Sequence, residues 1–233
     1  MVNIIDTVIF DLDGTLVDSQ PAALGATIEA LSSFGVRVTE AELRVVFGGG
    51  ARKLLNHFLE RDLGHEQATE LLEDAVQARA SLQTNLTNKV KLLPHVEELL
   101  ALLKKSNLKL AVATMSSRAV VDSVLHYHGI EDYFDATLTI DDVAQGKPDP
   151  EILTKTIEVL SGRVDSALYV GDSSHDLEAS VSIGMPFLLI DSGIYVRGQA
   201  RENLLTVAKD NGFSIVGYEG LLGISEIAPG PNR

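Results

Sequence analysis

Side chains that could carry out chemistry follow several apolar runs of this sequence or lie in the loops between them. In chain order these side chains belong to Asp11, Asp13, Thr114, Lys147, Asp172 and Asp176. Ligands of a parallel sheet collect outside the carboxyl ends of its strands, so we expect these side chains to converge on one rim. The set combines carboxylates with an ammonium group and a hydroxyl group.

Carboxylate oxygens in this number suit Mg²⁺, which proteins hold with a few carboxylates together with water and phosphate. Aspartates crowded without a cation would repel one another, and a metal relieves that repulsion while it bridges to a phosphoryl group. Lys147 can neutralise the remaining charge, and Thr114 with nearby backbone N–H groups can hold phosphoryl oxygens. The constellation therefore predicts phosphoryl chemistry at a magnesium site.

The elements that must position these residues alternate along the chain, which predicts an α/β fold with a parallel sheet. Apolar runs bounded by turn residues predict buried strands. Those runs occupy residues 8–10, 108–113, 136–140, 166–170 and 186–190. Helical patterns predict helices at 94–105, which Pro94 would open, and at 150–160, 175–183 and 197–210.

One region departs from the alternation, because residues 21–84 contain helical patterns and no convincing strand. The patterns predict helices at 22–33, 40–47, 53–62 and 66–82, followed by a polar return linker at 84–89. We therefore expect an all-helical domain at 18–87, inserted into an α/β core formed by 1–17 and 88–233.

The composition excludes several classes of protein. Lys and Arg total 19 against 33 Asp and Glu, a formal net charge of -14, which argues against nucleic-acid binding. The absence of cysteine excludes disulfides and Cys-ligated metal sites. No signal peptide and no membrane span are evident. We expect a cytoplasmic protein, monomeric or homodimeric, whose partner is a small phosphorylated metabolite.

Taken together, four segments resemble the motifs of the haloacid dehalogenase-like hydrolase superfamily in its phosphatase form. They are Asp-Leu-Asp-Gly-Thr-Leu-Val-Asp-Ser at 11–19, Thr114, Gly-Lys-Pro-Asp-Pro at 146–150, and Gly-Asp-Ser-Ser-His-Asp at 171–176. The motifs follow the order of the family, and the resemblance covers nearly the whole chain. It implies a Rossmann-like parallel sheet with an inserted all-helical cap, in the phosphoglycolate phosphatase-like branch.

The resemblance also implies roles for these residues. Asp11 would attack phosphorus to form an aspartyl-phosphate, and Asp13 would protonate the leaving alkoxide and then activate water. Mg²⁺ would bind Asp11, Asp172 and the backbone carbonyl of Asp13. Asp176 would touch the metal through water or orient Lys147.

Substrate contacts are expected from both parts of the chain. The core would supply Thr114, Met115, Ser116 and Lys147. The glycine-rich loop that opens the third helix of the insertion would supply Gly49 and Arg52, although the same residues also suit a solvated helix start.

Alternative functions remain open from the sequence. A sugar-phosphate mutase of the same fold would also need Asp13, and a non-catalytic phosphometabolite-binding protein could retain the fold. Dehalogenation is disfavoured, because dehalogenases of the superfamily usually lack the second acid. Hydrolysis of an aryl phosphate with and without Mg²⁺ distinguishes an enzyme from a binding protein.

Overall fold

Strands alternate with helices along the chain, as predicted, and a sheet of parallel strands forms the core. A computed structural model describes residues 5–46, 50–191, 193 and 196–224. The strands are β1 (Thr7–Phe10), β2 (Val17–Asp18), β3 (Lys91–Leu92), β4 (Lys109–Ala113), β5 (Ala136–Leu138), β6 (Ala167–Gly171), β7 (Phe187–Ile190) and β8 (Ser214–Val216). The helices are α1 (Gln20–Ser33), α2 (Glu40–Val46), α3 (Ala51–Leu63), α4 (His65–Asn85), α5 (Val96–Lys105), α6 (Arg118–His128), α7 (Glu151–Val159), α8 (Ser174–Ser182) and α9 (Gly198–Asp210).

The strand order of the main sheet is β5-β4-β1-β6-β7-β8. β1 pairs in parallel with β4 on one side and with β6 on the other. After β1 the chain goes to one half of the sheet and later returns to the other half. The carboxyl end of β1 is therefore the topological switch point, where open α/β sheets bind their ligands.

Side chains of the central strands alternate between two apolar layers, as the pleat of a strand requires. In β1, Val8 and Phe10 pack into the layer that contains α5 and α6. Ile9 points to the opposite layer, which contains α7, α8 and α9. With helices covering both faces, the strands must be apolar on both sides, and this explains their continuous apolar runs.

The helices from α1 to α4 form the helical insertion, the name used below for residues 20–85. They enclose a third apolar cluster that includes Leu31, Leu55 and Phe58. The chain leaves the core at β2 and returns at β3, and these strands pair with each other in antiparallel orientation. The division at 17/18 and 87/88 stays a prediction.

Several boundaries differ from those predicted. The predicted linker at 84–89 is the end of α4 followed by a 3-10 turn at Thr87–Lys89. Its polar residues suit a helix end because the Thr84 hydroxyl donates to the carbonyl of Ala80 at 3.0 Å. Pro94 lies before α5 rather than inside it, because His95 has a φ of 65°, which a right-handed helix excludes.

Strand β8 was not predicted, because its few residues at the sheet edge carry little apolar signal. The predicted strands at 136–140 and 186–190 are present but shorter, at Ala136–Leu138 and Phe187–Ile190. Within the described residues, no helix is both long enough and apolar enough to cross a membrane.

The apolar cluster of the helical insertion predicts a stability effect. Phe58 is 2% exposed, whereas Val45 on α2 is 86% exposed. Phe58→Ala leaves a cavity and is expected to cost about 3–5 kcal/mol, while Val45→Ala stays within about 0.5 kcal/mol. Urea unfolding of both variants measures the difference. Equal effects of the two substitutions would contradict the packing described for this cluster.

Candidate active site

The switch point brings together residues that are far apart in the sequence. Asp11 follows β1 directly, and its backbone N–H donates to the carbonyl of Val170 at 2.9 Å. Thr114 follows β4, and Asp172 follows β6. Asp11 and Asp172 are each 5% exposed, and Thr114 is fully buried. The predicted convergence on one rim is therefore present in the structure.

Lys147 lies in the loop after β5, and its ammonium group is the centre of this cluster. Nζ donates to Oδ1 of Asp11 at 2.7 Å and to Oδ1 of Asp176 at 2.6 Å. It also contacts the hydroxyl of Tyr169 at 2.8 Å and the carbonyl of Ala113 at 3.2 Å. Burial by itself lowers the pKa of Lys147, but Asp11 and Asp176 outweigh it and raise the pKa above its ordinary value.

Asp176 has donors on both carboxylate oxygens. Oδ1 accepts from Lys147 and, at 2.6 Å, from the hydroxyl of Tyr169. Oδ2 accepts from the hydroxyl of Ser173 at 2.6 Å and from its backbone N–H at 3.1 Å, which forms the capping box of α8. Of the two roles considered for Asp176, these contacts favour orientation of Lys147.

Neighbouring side chains approach two glycines of the motifs closely. A Cβ on Gly171 would lie 2.7 Å from Cβ and Cγ of Asp176, so any side chain there would displace that carboxylate. A Cβ on Gly146 would lie 2.2 Å from Cε of Met115. The sequence motifs thus contain glycine where Lys147 and Asp176 approach their partners.

Asp172 differs from Asp176 because its buried Oδ2 has no hydrogen-bond partner within the described chain. Carboxylate oxygens of Asp11, Asp172 and Asp176 lie within 4.8 Å of one another. An unpartnered carboxylate oxygen in a buried site is costly unless a cation or a donor binds it. The donor set is composed of hard oxygens and fits a divalent cation such as Mg²⁺.

The electrostatics of the cluster support the same interpretation. Burial raises the pKa of Asp11 to about 7 against the opposing effect of Lys147, and Asp176 and Asp13 add to the rise. Burial also raises the pKa of Asp172 well above its ordinary range. Burial acts in the same direction on Asp176, but Lys147 and the other donors outweigh it and lower the pKa. One ammonium group is therefore not enough to keep all of these carboxylates ionised.

Asp13 faces a different part of the site. It is partly buried and accepts hydrogen bonds from the hydroxyl of Ser19, at the start of α1, and from the hydroxyl of Ser116 at 2.6 Å. Ser116 is itself positioned by Thr114, whose Oγ1 accepts from the Ser116 backbone N–H at 3.2 Å. Asp13 is thus fixed between the loop after β4 and Ser19, the residue that precedes the helical insertion.

Met115 packs between the core and the helical insertion. Its sulfur accepts from the backbone N–H of Lys147 at 3.2 Å. Its Cε lies 3.7 Å from the position of a Cβ on Gly50, at the start of α3. Met115 therefore lies near the start of α3 and contacts the loop that carries Lys147.

Of the residues predicted for substrate binding in the helical insertion, only Arg52 is described, and it does not contact this cluster. Gly49 lies outside the described residues. Arg52 is exposed and forms an ion pair with Glu73 through bonds of 2.5 and 2.7 Å. Its role in substrate binding stays a prediction.

Sequence analysis missed three residues of this region. From the sequence, Tyr169 is expected to be a core residue of β6. The one indication that its hydroxyl belongs to the site is its position near the end of an apolar run. Ser173 could have been found, because a serine three residues before an acid is the pattern of a capping box. Arg79 on α4 carries no local signal.

The raised pKa of Asp11 predicts that replacing this carboxylate stabilises the metal-free protein, although it removes the predicted nucleophile. Between its ordinary value near 3.8 and about 7, the folded protein binds a proton more strongly than the unfolded chain, so stability falls as pH rises through this window. In EDTA at pH 8, Asp11→Asn is expected to raise stability by about 1–2 kcal/mol, or about 2–8 °C in Tm. The gain should disappear near pH 4.

Thermal unfolding between pH 4 and 8 measures this effect. Asp6→Asn is the matched control, because Asp6 is exposed and lies at the opposite end of β1. A wild-type protein more stable than Asp11→Asn at pH 8 in EDTA would show that the ionised Asp11 is not strained by burial.

Comparison with known proteins agrees with this geometry. Residues 8–190 match the family described as haloacid dehalogenase-like hydrolase. The chain is 33% identical over 182 residues to a phosphoglycolate phosphatase of Neisseria meningitidis, covering 77% of each chain. It is 28% identical over 180 residues to the pyrophosphatase PpaX of Bacillus cereus, covering 77% of this chain and 80% of the relative.

A solved structure also superimposes on the chain. CbbY from Rhodobacter sphaeroides, in complex with phosphate, is similar with a TM-score of 0.78 and 25% identity, covering 94% of this chain and 99% of that chain. The match of the family covers both the switch-point residues and the helical insertion. The chain therefore belongs to the haloacid dehalogenase-like hydrolase family.

Proposed function

We propose that this protein is a Mg²⁺-dependent phosphatase that hydrolyses a small phosphomonoester through a phosphorylated Asp11. The observation that carries the proposal is the contact of Lys147 with Asp11, beside a buried oxygen of Asp172 that has no partner within the described residues. A buried carboxylate held at a strand end by an ammonium group is suited to attack an anionic phosphoryl group, whose charge must be offset.

Asp11, Asp172 and the backbone carbonyl of Asp13 would hold the metal. When bound, Mg²⁺ would supply charge neutralisation for the carboxylates and for the phosphoryl oxygens. Asp176 would remain with Lys147, since each of its oxygens already accepts from other groups.

In the first step, a carboxylate oxygen of Asp11 attacks phosphorus, and the bond from phosphorus to the ester oxygen breaks. Asp13, in its acid form, gives its proton to the departing alkoxide. Thr114, Ser116 and the Lys147 ammonium group stabilise the charge on the phosphoryl oxygens.

In the second step, Asp13 is a carboxylate and takes a proton from water. The oxygen of that water attacks phosphorus and breaks the bond to Asp11, so that inorganic phosphate leaves. Asp11 is again a carboxylate and Asp13 is again an acid, which completes the cycle with all atoms and protons balanced.

The relatives support a small substrate. One similar protein is named a phosphoglycolate phosphatase and another a pyrophosphatase, so both are named for small phosphate compounds. In this proposal the core at 1–17 and 88–233 carries the chemistry, and the domain at 18–87 encloses the leaving group.

The nucleophile predicts a sharp loss of activity. Asp11→Asn is expected to lower kcat for 4-nitrophenyl phosphate by at least about 10³-fold, because the amide oxygen is a poor nucleophile. Asp6→Asn is expected to retain activity, because its exposed carboxylate is remote from the site. Activity should require Mg²⁺ and disappear in EDTA. Near wild-type turnover by Asp11→Asn would overturn the assignment.

The alternative functions give different outcomes in the same assays. A sugar-phosphate mutase would return an isomeric sugar phosphate instead of inorganic phosphate. A binding protein would show no turnover with or without Mg²⁺. Intact-protein mass after acid quench should show one added phosphoryl group on the wild type and none on Asp11→Asn.

Substitution of Tyr169 is expected to lower activity less than substitution of Asp11. Tyr169→Phe removes a donor to Asp176 and an acceptor of Lys147, so the ammonium group is held less firmly. We expect kcat/KM to fall by about 10- to 100-fold. Tyr127→Phe is the control, since Tyr127 is 57% exposed. A change of less than about threefold in Tyr169→Phe would show that Lys147 is positioned without help from the Tyr169 hydroxyl.

A further inference from the structure

One arginine of the helical insertion is held by a hydrogen bond between two of its helices. Nε of Arg79, on α4, donates to Oγ1 of Thr27, on α1, at 2.8 Å. Thr27 is fully buried, and its hydroxyl donates to the carbonyl of Ala23 at 2.7 Å. The guanidinium group is therefore fixed at its Nε by two packed helices. Its terminal nitrogens have no hydrogen-bond partner among the described residues.

Other arginines of the insertion are arranged differently. Arg44, Arg52 and Arg61 are exposed, and each forms an ion pair with a carboxylate. Arg79 is more enclosed, yet it forms no ion pair in the part of the chain that the structure describes. A partly buried cation that forms no ion pair loses hydration without a direct partner in return. The simplest explanation of such a cation is that it pairs with an anionic group of a bound ligand.

The negative charge of Asp13 acts on Arg79. Burial lowers the pKa of Arg79 to about 10, and the negative charge of Asp13 opposes this fall. Asp13 is the acid that protonates the leaving oxygen in the mechanism above. Arg79 is therefore within electrostatic range of the residue that would face the leaving part of the substrate.

We propose that Arg79, oriented by Thr27, binds a second anionic group, a carboxylate or a phosphate, on the leaving part of the substrate. The inference rests on the proposed phosphatase function and narrows its substrate class to small phosphate esters or anhydrides that carry another anion. The planar guanidinium group can donate in parallel to two oxygens of such an anion. An ester with a neutral leaving group leaves Arg79 unpaired.

A matched pair of esters tests the proposal. Phosphoglycolate and 2-hydroxyethyl phosphate have the same chain length, but the second has a hydroxymethyl group in place of the carboxylate. Their inhibition constants against hydrolysis of 4-nitrophenyl phosphate report affinity whether or not either ester is turned over. We expect the wild type to prefer phosphoglycolate by about 10- to 100-fold. Inorganic pyrophosphate, as a third probe, distinguishes a phosphate from a carboxylate.

Variants of Arg79 assign the preference to this side chain. Arg79→Met is expected to remove the preference, and Arg79→Lys to retain part of it, because the charge stays while the paired donors are lost. Arg37→Met removes the same charge from an exposed position of the insertion and should keep the wild-type ratio. If Arg79→Met does not fold, Arg79→Lys carries the test.

Thr27 is a positioning residue, and its variants separate position from packing. Thr27→Val keeps the shape but removes the acceptor for Nε, so the preference for the anionic ester should fall. Thr27→Ser keeps the hydroxyl and should restore the preference. A purely structural role of Thr27 would change the affinity for both esters by the same factor.

The proposal is overturned if the wild type prefers neither phosphoglycolate nor pyrophosphate over the neutral ester. It is also overturned if Arg79→Met weakens all three probes equally. Failure of the proposed function looks different, since 4-nitrophenyl phosphate would then not be hydrolysed at all. In that case, calorimetric titration of the same probes into the wild type and Arg79→Met measures the preference directly.

Discussion

The ammonium group of Lys147 is the interaction on which the rest of the site depends. It contacts Asp11 at 2.7 Å and Asp176 at 2.6 Å in an environment from which water is almost excluded. Removal of the ammonium group would leave buried carboxylates without compensation, at a cost of several kcal/mol. The loops after β1, β5 and β6 are therefore positioned relative to one another by charge as well as by the sheet.

A single ammonium group does not balance the charge of the cluster. Asp176 receives its donors from Lys147, Tyr169 and Ser173, while one oxygen of Asp172 receives none from the described residues. Burial, with a further contribution from the neighbouring carboxylates, raises the pKa of Asp11 and of Asp172, so the metal-free protein is expected to be less stable near neutral pH. The same excess of negative charge favours the binding of a divalent cation. Stability is thus given up at the positions where the proposed chemistry occurs.

The helical insertion is connected to the site through a small number of contacts. Ser19, at the start of α1, holds Asp13, and Met115 packs near Gly50 at the start of α3. The charge of Asp13 acts on Arg79 of α4. In the proposed function, the core would supply groups that act on the phosphoryl group, and the insertion would supply groups that meet what is attached to it. Such a division would allow the core to keep one chemistry while the insertion sets the substrate.

The sequence by itself determined the α/β alternation, the position of the helical insertion and the residues at the strand ends. These features depend on local periodicity and on short motifs, which are present in any conformation of the chain. Asp11, Asp172 and Lys147 could be predicted for this reason. The glycines at 146 and 171 belong to the same motifs, although only the distances to Met115 and Asp176 explain why a side chain is excluded there.

Only the tertiary structure decided how the charges are distributed among these residues. The contacts of Asp176 with Tyr169, the unpartnered oxygen of Asp172 and the approach of Arg79 to Asp13 depend on distances between remote segments. No local pattern carries that information, because burial and pairing of a charge are set by whatever packs around it. Strand β8 was missed for a similar reason, since its pairing with β7 defines it more than its own residues do.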